Sequence, residues 1–394
     1  MNEPGGRPAQ FGGRPAQFGG RPGQFGGRPG RVVVFGTYDL DAHPRARVLI
    51  EGMRAHGVVV EECNAALGLD TAGRVGVLAR PALLPVLVGR LLWRWTELLW
   101  RSRAVGRPDA VLVPYLGHFD VHLARLRFAA TPRVLDHLVS GLDTARDRRL
   151  GGGWRERVLG WVDRAALRAA TVVVVDTDEH LERLEPAARR RAVVVPVGAP
   201  DSWAVAPGPL YTGDRPLRVV FFGRYTPLQG AVTIGRALSL LAADPSVRVT
   251  MIGDGQDRAE ARRAAGANPS VTWHGPVPPS QLPAVVAAHD VCLGVFGTGP
   301  KALRVVPNKV FQGVRAGCAI VTSDTVPQRR VLGDLPVYVP PGDAEELAAQ
   351  LSSLAGQPER VRAAQQRSRR SASQMTPSAV TAPLMQTMGW STDR

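Results

Sequence analysis

Residues 217–224 read LRVVFFGR, and PLQG follows at 227–230. The apolar run 217–222 fits a buried parallel strand, and Gly223 allows a turn at its end. A helix is expected over 230–242, then a strand over 247–252 that ends in Gly253-Asp254-Gly255. Further strands are expected at 270–273, 290–295, 318–322 and 336–339, alternating with helices at 257–265, 280–288, 308–316 and 343–355. Strands and helices alternating at this spacing imply a parallel, doubly wound sheet.

The same rhythm runs upstream. Strands are expected at 32–36 (VVVFG), 58–62, 110–114, 133–136, 171–175 and 192–196, with helices at 45–56, 120–129, 154–170 and 178–184. The fold class expected is therefore α/β, with two Rossmann-like domains facing a cleft, where open parallel sheets bind ligands beyond their C-terminal strand ends. A Gly- and Pro-rich stretch over 198–216 lacks periodicity and reads as the connection. We expect an N-terminal domain at 31–205, a linker at 206–216, a C-terminal domain at 217–370, and a tail at 371–394 that packs back on the N-terminal domain. Residues 4–30 repeat GGRPAQ, FGGRPAQ, FGGRPGQ and FGGRPG, a composition that cannot bury a core and is expected to be disordered.

The 394 residues carry a net charge of +15. Residues 1–30 hold four Arg against Glu3, and 359–394 hold six Arg against Glu359 and Asp393, leaving +8 for the body. Five of those charges fall in 80–107, with six Arg against Glu97. Such concentration favours a local anionic partner over a broad nucleic-acid face, so nucleic acid is not expected as a partner. No run of about 18 apolar residues and no signal-peptide core is present, so a cytoplasmic protein is expected. Cys63, Cys292 and Cys318 lack metal or redox spacing.

Chemistry concentrates in the second half. Arg224 ends a strand beside a helix N-terminus, where a phosphate is well received. Gly253 and Gly255 allow close approach of backbone to a ligand. In Pro307-Asn308-Lys309-Val310-Phe311-Gln312, Asn308 is expected to cap a helix, whose positive end forms an anion site. Lys301 and Lys309 are the two lysines of the chain, and with Arg304 they put three bases and no acid between 301 and 312. A solvated basic loop is the plain alternative.

The ordered series GR…PLQG, IGDGQ, VTWHGPV, HDVCLGVFG, PNKVFQ, AGCAIVTSD, VPPGD and ELAAQL resembles the C-terminal domain of group 1 (family 4) glycosyltransferases over about 217–356. The resemblance implies the GT-B fold, retention of anomeric configuration, and no cofactor or metal, with a nucleoside diphosphate sugar as co-substrate. It implies a donor-binding set of Gly223, Arg224, Gln229, Gly230, Gly253, Gly255, Lys301, Arg304, Asn308, Lys309 and Gln312. Arg224 matches the residue that contacts the donor diphosphate. Gln229 stands where a Lys is usual, and Arg304 and Gln312 stand at two positions usually held by Glu.

In the first half, His118 follows strand 110–114 and is the candidate catalytic His, favoured over His122. With Arg224 it forms the expected catalytic pair. Tyr38, Asp39, His43 and Arg45 follow the first strand and are expected to bind the acceptor, a glycan or lipid-linked glycan. Asp136-His137 is a further candidate. Asp176-Thr177-Asp178 matches the D-x-D of metal-dependent, single-domain glycosyltransferases, but Asp178 is expected to cap helix 178–184, so no metal site is assigned. A GT-B nucleotide-sugar epimerase and a basic nucleic-acid-associated protein are the rival readings.

Residues 80–103, RPALLPVLVGRLLWRWTELLWRSR, form a distinct segment. Leu84, Leu87, Leu91, Trp95 and Leu98 recur at helical steps, and Arg90, Arg94, Glu97 and Arg101 share another face, flanked by Trp93 and Trp100. Either this is a core helix with a basic edge, or it rests on an anionic membrane surface at the inner face of the plasma membrane.

Overall fold

A computed structural model describes residues 30–40, 43–68, 84–138, 140–147 and 153–390. The expectations for the repeat tail, for 80–83 and for 391–394 lie outside these residues. The chain divides into two compact units. Among the described residues, one holds 30–196 and 377–390, the other 197–376.

The first unit is a six-stranded sheet of β1 (Arg31–Gly36), β2 (Val59–Asn64), β3 (Ala110–Val113), β4 (Arg133–Asp136), β5 (Val172–Val175) and β6 (Ala192–Val194). The strand order is β2-β1-β3-β4-β5-β6, and every pairing is parallel. Its helices are α1 (Pro44–Ala55), α2 (Leu84–Arg101), α3 (Asp120–Arg127), α4 (Gly141–Asp147), α5 (Gly153–Ala169), α6 (Asp178–Arg183) and α7 (Pro186–Arg189).

Unbroken runs such as VVVV in β5 suit this sheet because both faces are covered. Alternate side chains go to opposite faces. Val33, Phe35, Val111, Val113, Leu135, Val173 and Val175 meet Leu98 of α2, Val121 and Ala124 of α3, and Ala166 and Leu167 of α5. Val32, Val34, Leu112, Val134 and Val174 instead meet Leu49 and Met53 of α1, together with Leu384, Met385 and Trp390 from the chain's C-terminal end.

The second unit repeats the plan with β7 (Leu217–Arg224), β8 (Val247–Asp254), β9 (Val271–His274), β10 (Val291–Leu293), β11 (Ala319–Ser323) and β12 (Val337–Val339), in the order β12-β11-β10-β7-β8-β9, all parallel. Its helices are α8 (Ala231–Leu240), α9 (Arg258–Ala265), α10 (Leu282–Ala287), α11 (Asn308–Arg315), α12 (Val326–Leu332), α13 (Ala344–Ala355) and α14 (Pro358–Ser371). The last helix, α15 (Pro377–Met388), packs on α1 in the first unit. Both domains are therefore Rossmann-like, as the alternation of runs implied.

Two local expectations are corrected. Asn308 does not cap α11. Pro307, extended at φ −75° and ψ 148°, holds the N-cap position, and Asn308 is already helical. Asp178 does not cap α6 either. Thr177 is extended, and its hydroxyl accepts from the His180 N–H. In each case the last extended residue decides where the helix starts, and a cap-forming side chain one position later is already inside it.

Candidate functional site

Each domain gathers polar groups at the C-terminal edge of its sheet. In the second domain, β7 and β8 end in register, with Gly223 opposite Gly253 and Arg224 opposite Asp254. Gly223 has φ +135° and Gly253 φ +118°, and a Cβ on Gly253 would lie 2.0 Å from the Gly223 carbonyl oxygen. Only glycine allows two strand ends to turn this closely. The loop after β7 continues into Gly230, left-handed at φ +66°, which leads into α8. A Cβ there would strike the backbone of Phe296 and Gly297, whose loop is tied back by Phe296 N–H donating to Gln229 O at 3.1 Å. The PLQG and FGTG segments are thus one packed unit.

Lys309 lies beneath this unit. It is in the first turn of α11, 4% exposed, with Nζ 3.6 Å from the Phe221 ring centroid and 6.0 Å from that of Phe222. A Cβ placed on Gly223 would be 3.4 Å from this Nζ and 4.0 Å from Gln229 Oε1. Neither Lys309 Nζ nor Gln229 Oε1 has a hydrogen-bond partner, and both atoms are buried. Burial pushes the Lys309 ammonium down to about 7. The aromatic faces offset part of its desolvation, by about 2 kcal/mol or more in a dry site, but they satisfy none of its three donors. The first turn of α11 also has no side-chain cap. An uncapped, positive helix end and an unpaired buried cation together call for an anion.

The other expected donor residues are distributed around this centre. Arg224 is exposed at the end of β7, and Gly255 packs on the backbone of Tyr225. Lys301 and Arg304 lie in the segment before α11, where Arg304 Nε donates to Pro300 O at 2.7 Å. Asn308 Oδ1 is buried without a partner, and Gln312 is 6% exposed one turn along α11. Sequence reasoning found Lys309 by its charge and missed Phe221 as its neighbour, since nothing in the spacing links the two.

In the first domain, His118 Nε2 lies 3.2 Å from Asp163 Oδ1 of α5, close enough to attract but off the line of a hydrogen bond. The His118 and His137 rings meet edge to face at 5.4 Å. Asp163 accepts from Ser140 Oγ at 2.7 Å and from the Gly141 N–H at 3.0 Å. Burial alone would raise the Asp163 carboxyl, but His118, Ser140 and His137 hold it well below the usual range. Burial lowers His137 to about 4, and its Nε2 has no partner. One ligand atom from each of His118, His137 and Asp163 falls within 4.8 Å of the others, a set that could hold a cation. Asp163 was not anticipated, although an acid on the apolar face of WVDRAAL was a signal.

Arg45 and Asp136 form a second buried pair, Nε to Oδ1 3.3 Å, both nearly inaccessible. Burial raises the Asp136 carboxyl despite Arg45. Arg45 Nη2 and Asp136 Oδ2 remain without partners. The His43 ring lies tilted against Tyr115, centroids 4.8 Å apart, and contacts the Asp39 carbonyl through Nδ1. Tyr38 is core, its hydroxyl donating to Glu62 Oε2 at 3.2 Å. His122 is half-buried in α3. Asp176 is buried against His180 Nδ1, so its carboxylate is already engaged.

Residues 216–357 match the family described as glycosyl transferases group 1, and this stretch contains the whole Lys309 site. No curated protein matches the sequence. Among solved structures, the chain is similar to sucrose-phosphate synthase of Thermosynechococcus elongatus, with TM-score 0.66 and 15% identity over 90% of this chain and 97% of that one. It is similar to HepE of Anabaena in complex with UDP and glucose, with TM-score 0.60 and 14% identity over 91% and 98%. An E. coli trehalose-6-phosphate protein bound with UDP-2-fluoro glucose gives TM-score 0.63 and 12% identity over 91% and 99%. At these identities the likeness is one of fold, the two Rossmann-like domains of the GT-B kind.

Proposed function

We propose that this protein is a glycosyltransferase, which moves a sugar from a nucleoside diphosphate donor to a glycan or lipid-linked glycan with retention of configuration and without a metal. The observation that carries the reading is the buried, unpartnered ammonium of Lys309 beside Gly223, Gln229 and the uncapped start of α11. In the transfer, the bond from the anomeric carbon to the diphosphate breaks and its electron pair leaves with the diphosphate. The acceptor hydroxyl oxygen bonds to that carbon and gives its proton to the leaving diphosphate. Charge therefore grows on the diphosphate, where Lys309, Arg224 and the α11 N–H groups stabilise it. Gln312 is assigned to a donor hydroxyl, which its amide can bond. His118, with Asp39 and His43, is assigned to the reacting sugar and the acceptor, whereas Arg45, expected there from the sequence, is sealed in its pair with Asp136 and is left out. We place the enzyme in the cytoplasm.

The test is product analysis with UDP- and GDP-sugars, with and without a glycan acceptor. Acceptor-dependent release of nucleoside diphosphate with a new glycosidic product is expected. An altered or hydrolysed sugar formed equally well without acceptor would make the protein an epimerase instead.

A further inference from the structure

Four of the eight tryptophans face solvent, and all four are on α2 and α5. Trp93 is 70% exposed, Trp100 69%, Trp154 61% and Trp161 63%. A core-helix reading of α2 does not explain this, because among the described side chains of that helix only Leu98 is fully buried. On α2, Val86, Arg90, Trp93 and Trp100 recur at three-, four- and seven-residue steps, forming one outer stripe. On α5, Trp154, Arg157, Val158, Trp161, Arg164 and Arg168 form a second stripe at the same steps, all of them exposed.

Both helices belong to one layer. Leu98 of α2 and Ala166 and Leu167 of α5 pack on the same face of the first sheet, and Trp95 Nε1 donates to Asp120 Oδ1 of α3 between them at 2.9 Å. Their outer stripes therefore point away from the sheet on the same side. On α3 the exposed Leu126 adds to that side. The acids of α2 and α5 do not oppose the charge: Glu97 is paired with Arg94 and Arg101, Glu156 with Arg146, and Asp163 is buried. No helix among the described residues is long and apolar enough to cross a membrane.

We propose that the outer surface of this helical layer docks on an anionic lipid bilayer. Amphipathic tryptophans settle at the headgroup level, their apolar bodies reaching the acyl boundary, while arginines between them meet lipid phosphates. The basic charge selects anionic lipid, and an apolar protein partner would gain nothing from it. The inference stands apart from the proposed reaction, since it is measured without nucleotide or acceptor.

The test is flotation of the full chain with vesicles of phosphatidylcholine alone or mixed with phosphatidylglycerol, using tryptophan quenching by brominated lipid as the second readout. Expected are flotation and quenching with the anionic vesicles, little with the neutral ones, and loss of binding in high salt. Trp93→Ser with Trp100→Ser, and separately Trp154→Ser with Trp161→Ser, should each weaken partitioning by about tenfold or more. Circular dichroism melting checks that the variants fold. Arg157→Gln with Arg164→Gln and Arg168→Gln should weaken anionic binding and leave the fold intact. Absence of flotation, equal flotation with neutral vesicles, or undiminished binding by the folded tryptophan variants would overturn the proposal. So would binding to RNA, but not to vesicles, that the arginine variant abolishes.

Discussion

Lys309 Nζ lies 3.6 Å from the centroid of the Phe221 ring, with no oxygen near enough to accept its protons. A β-strand that carries Phe221-Phe222-Gly223 just before its last residue thus supplies a greasy floor for a buried cation, and glycine leaves the space above it open. Such an arrangement costs stability in the free protein and gains its compensation from an anionic ligand.

Lys309→Met tests that trade directly. Met keeps the length of the side chain and removes the unpaired charge, so the free protein should melt no lower than wild type, and should be more stable by about 1–4 kcal/mol if the cost is fully relieved. Nucleoside diphosphate binding should weaken at the same time. Chemical denaturation and calorimetry would read the two effects in opposite directions.

The pH dependence follows from the lowered Lys309 value of about 7. Between about 7 and the ordinary lysine value the unfolded chain binds more protons, so this residue makes stability rise with pH across that window. Below about 7 both states are protonated, so the slope vanishes and the full cost of the buried charge remains. Ligand binding has the opposite slope. A diphosphate selects the ammonium, so binding above about 7 takes up a proton and weakens by up to about tenfold per pH unit. Titration calorimetry in buffers of different ionisation enthalpy should detect that uptake in wild type and not in Lys309→Met.

On the proposed reaction, Arg224 meets the charge that grows on the diphosphate. Arg224→Ala should lower kcat/KM by about 10²–10³-fold, the usual loss for one preorganised donor to a developing anion. Steady-state kinetics with a cognate donor checks this, and near-normal turnover would remove Arg224 from the diphosphate.

Asp163 attracts His118 across 3.2 Å without a hydrogen bond in line, and is itself held by Ser140 and the Gly141 N–H. Asp163→Asn should reduce kcat by about 10–100-fold, as loss of an orienting carboxylate does. The KM for donor should change little. The pH–rate profile should move as well, which a purely structural loss of Asp163 would not produce.

The sheets were legible because each buried strand is a short apolar run with a glycine or a turn after it, as in VVVFG and LRVVFFG. Helix α12 was not, since VPQRRVL is seven residues long with a polar middle and gives no period to detect. The tryptophans of α5 escaped notice for the opposite reason. Aromatic residues at helical steps ordinarily mark a core face, and only the packing of Ala166 and Leu167 against the sheet turns Trp154 and Trp161 outward. At the site, the charge of Lys309 was readable and its burial was not, because the burial is made by Phe221 and Phe222 on a strand more than eighty residues earlier. The His118–Asp163 contact is likewise a product of the fold, bringing a loop after β3 to a helix before β5.

The most direct measurement is calorimetric binding of UDP and GDP to the wild-type chain and to Lys309→Met at mildly acidic pH, where Lys309 is charged. The account expects at least one nucleoside diphosphate to bind wild type, to bind its monophosphate counterpart's site more tightly than that monophosphate does, and to lose about tenfold or more in affinity on Lys309→Met. Failure of every nucleoside diphosphate to bind at millimolar concentration, or equal affinity for the two proteins, would contradict it.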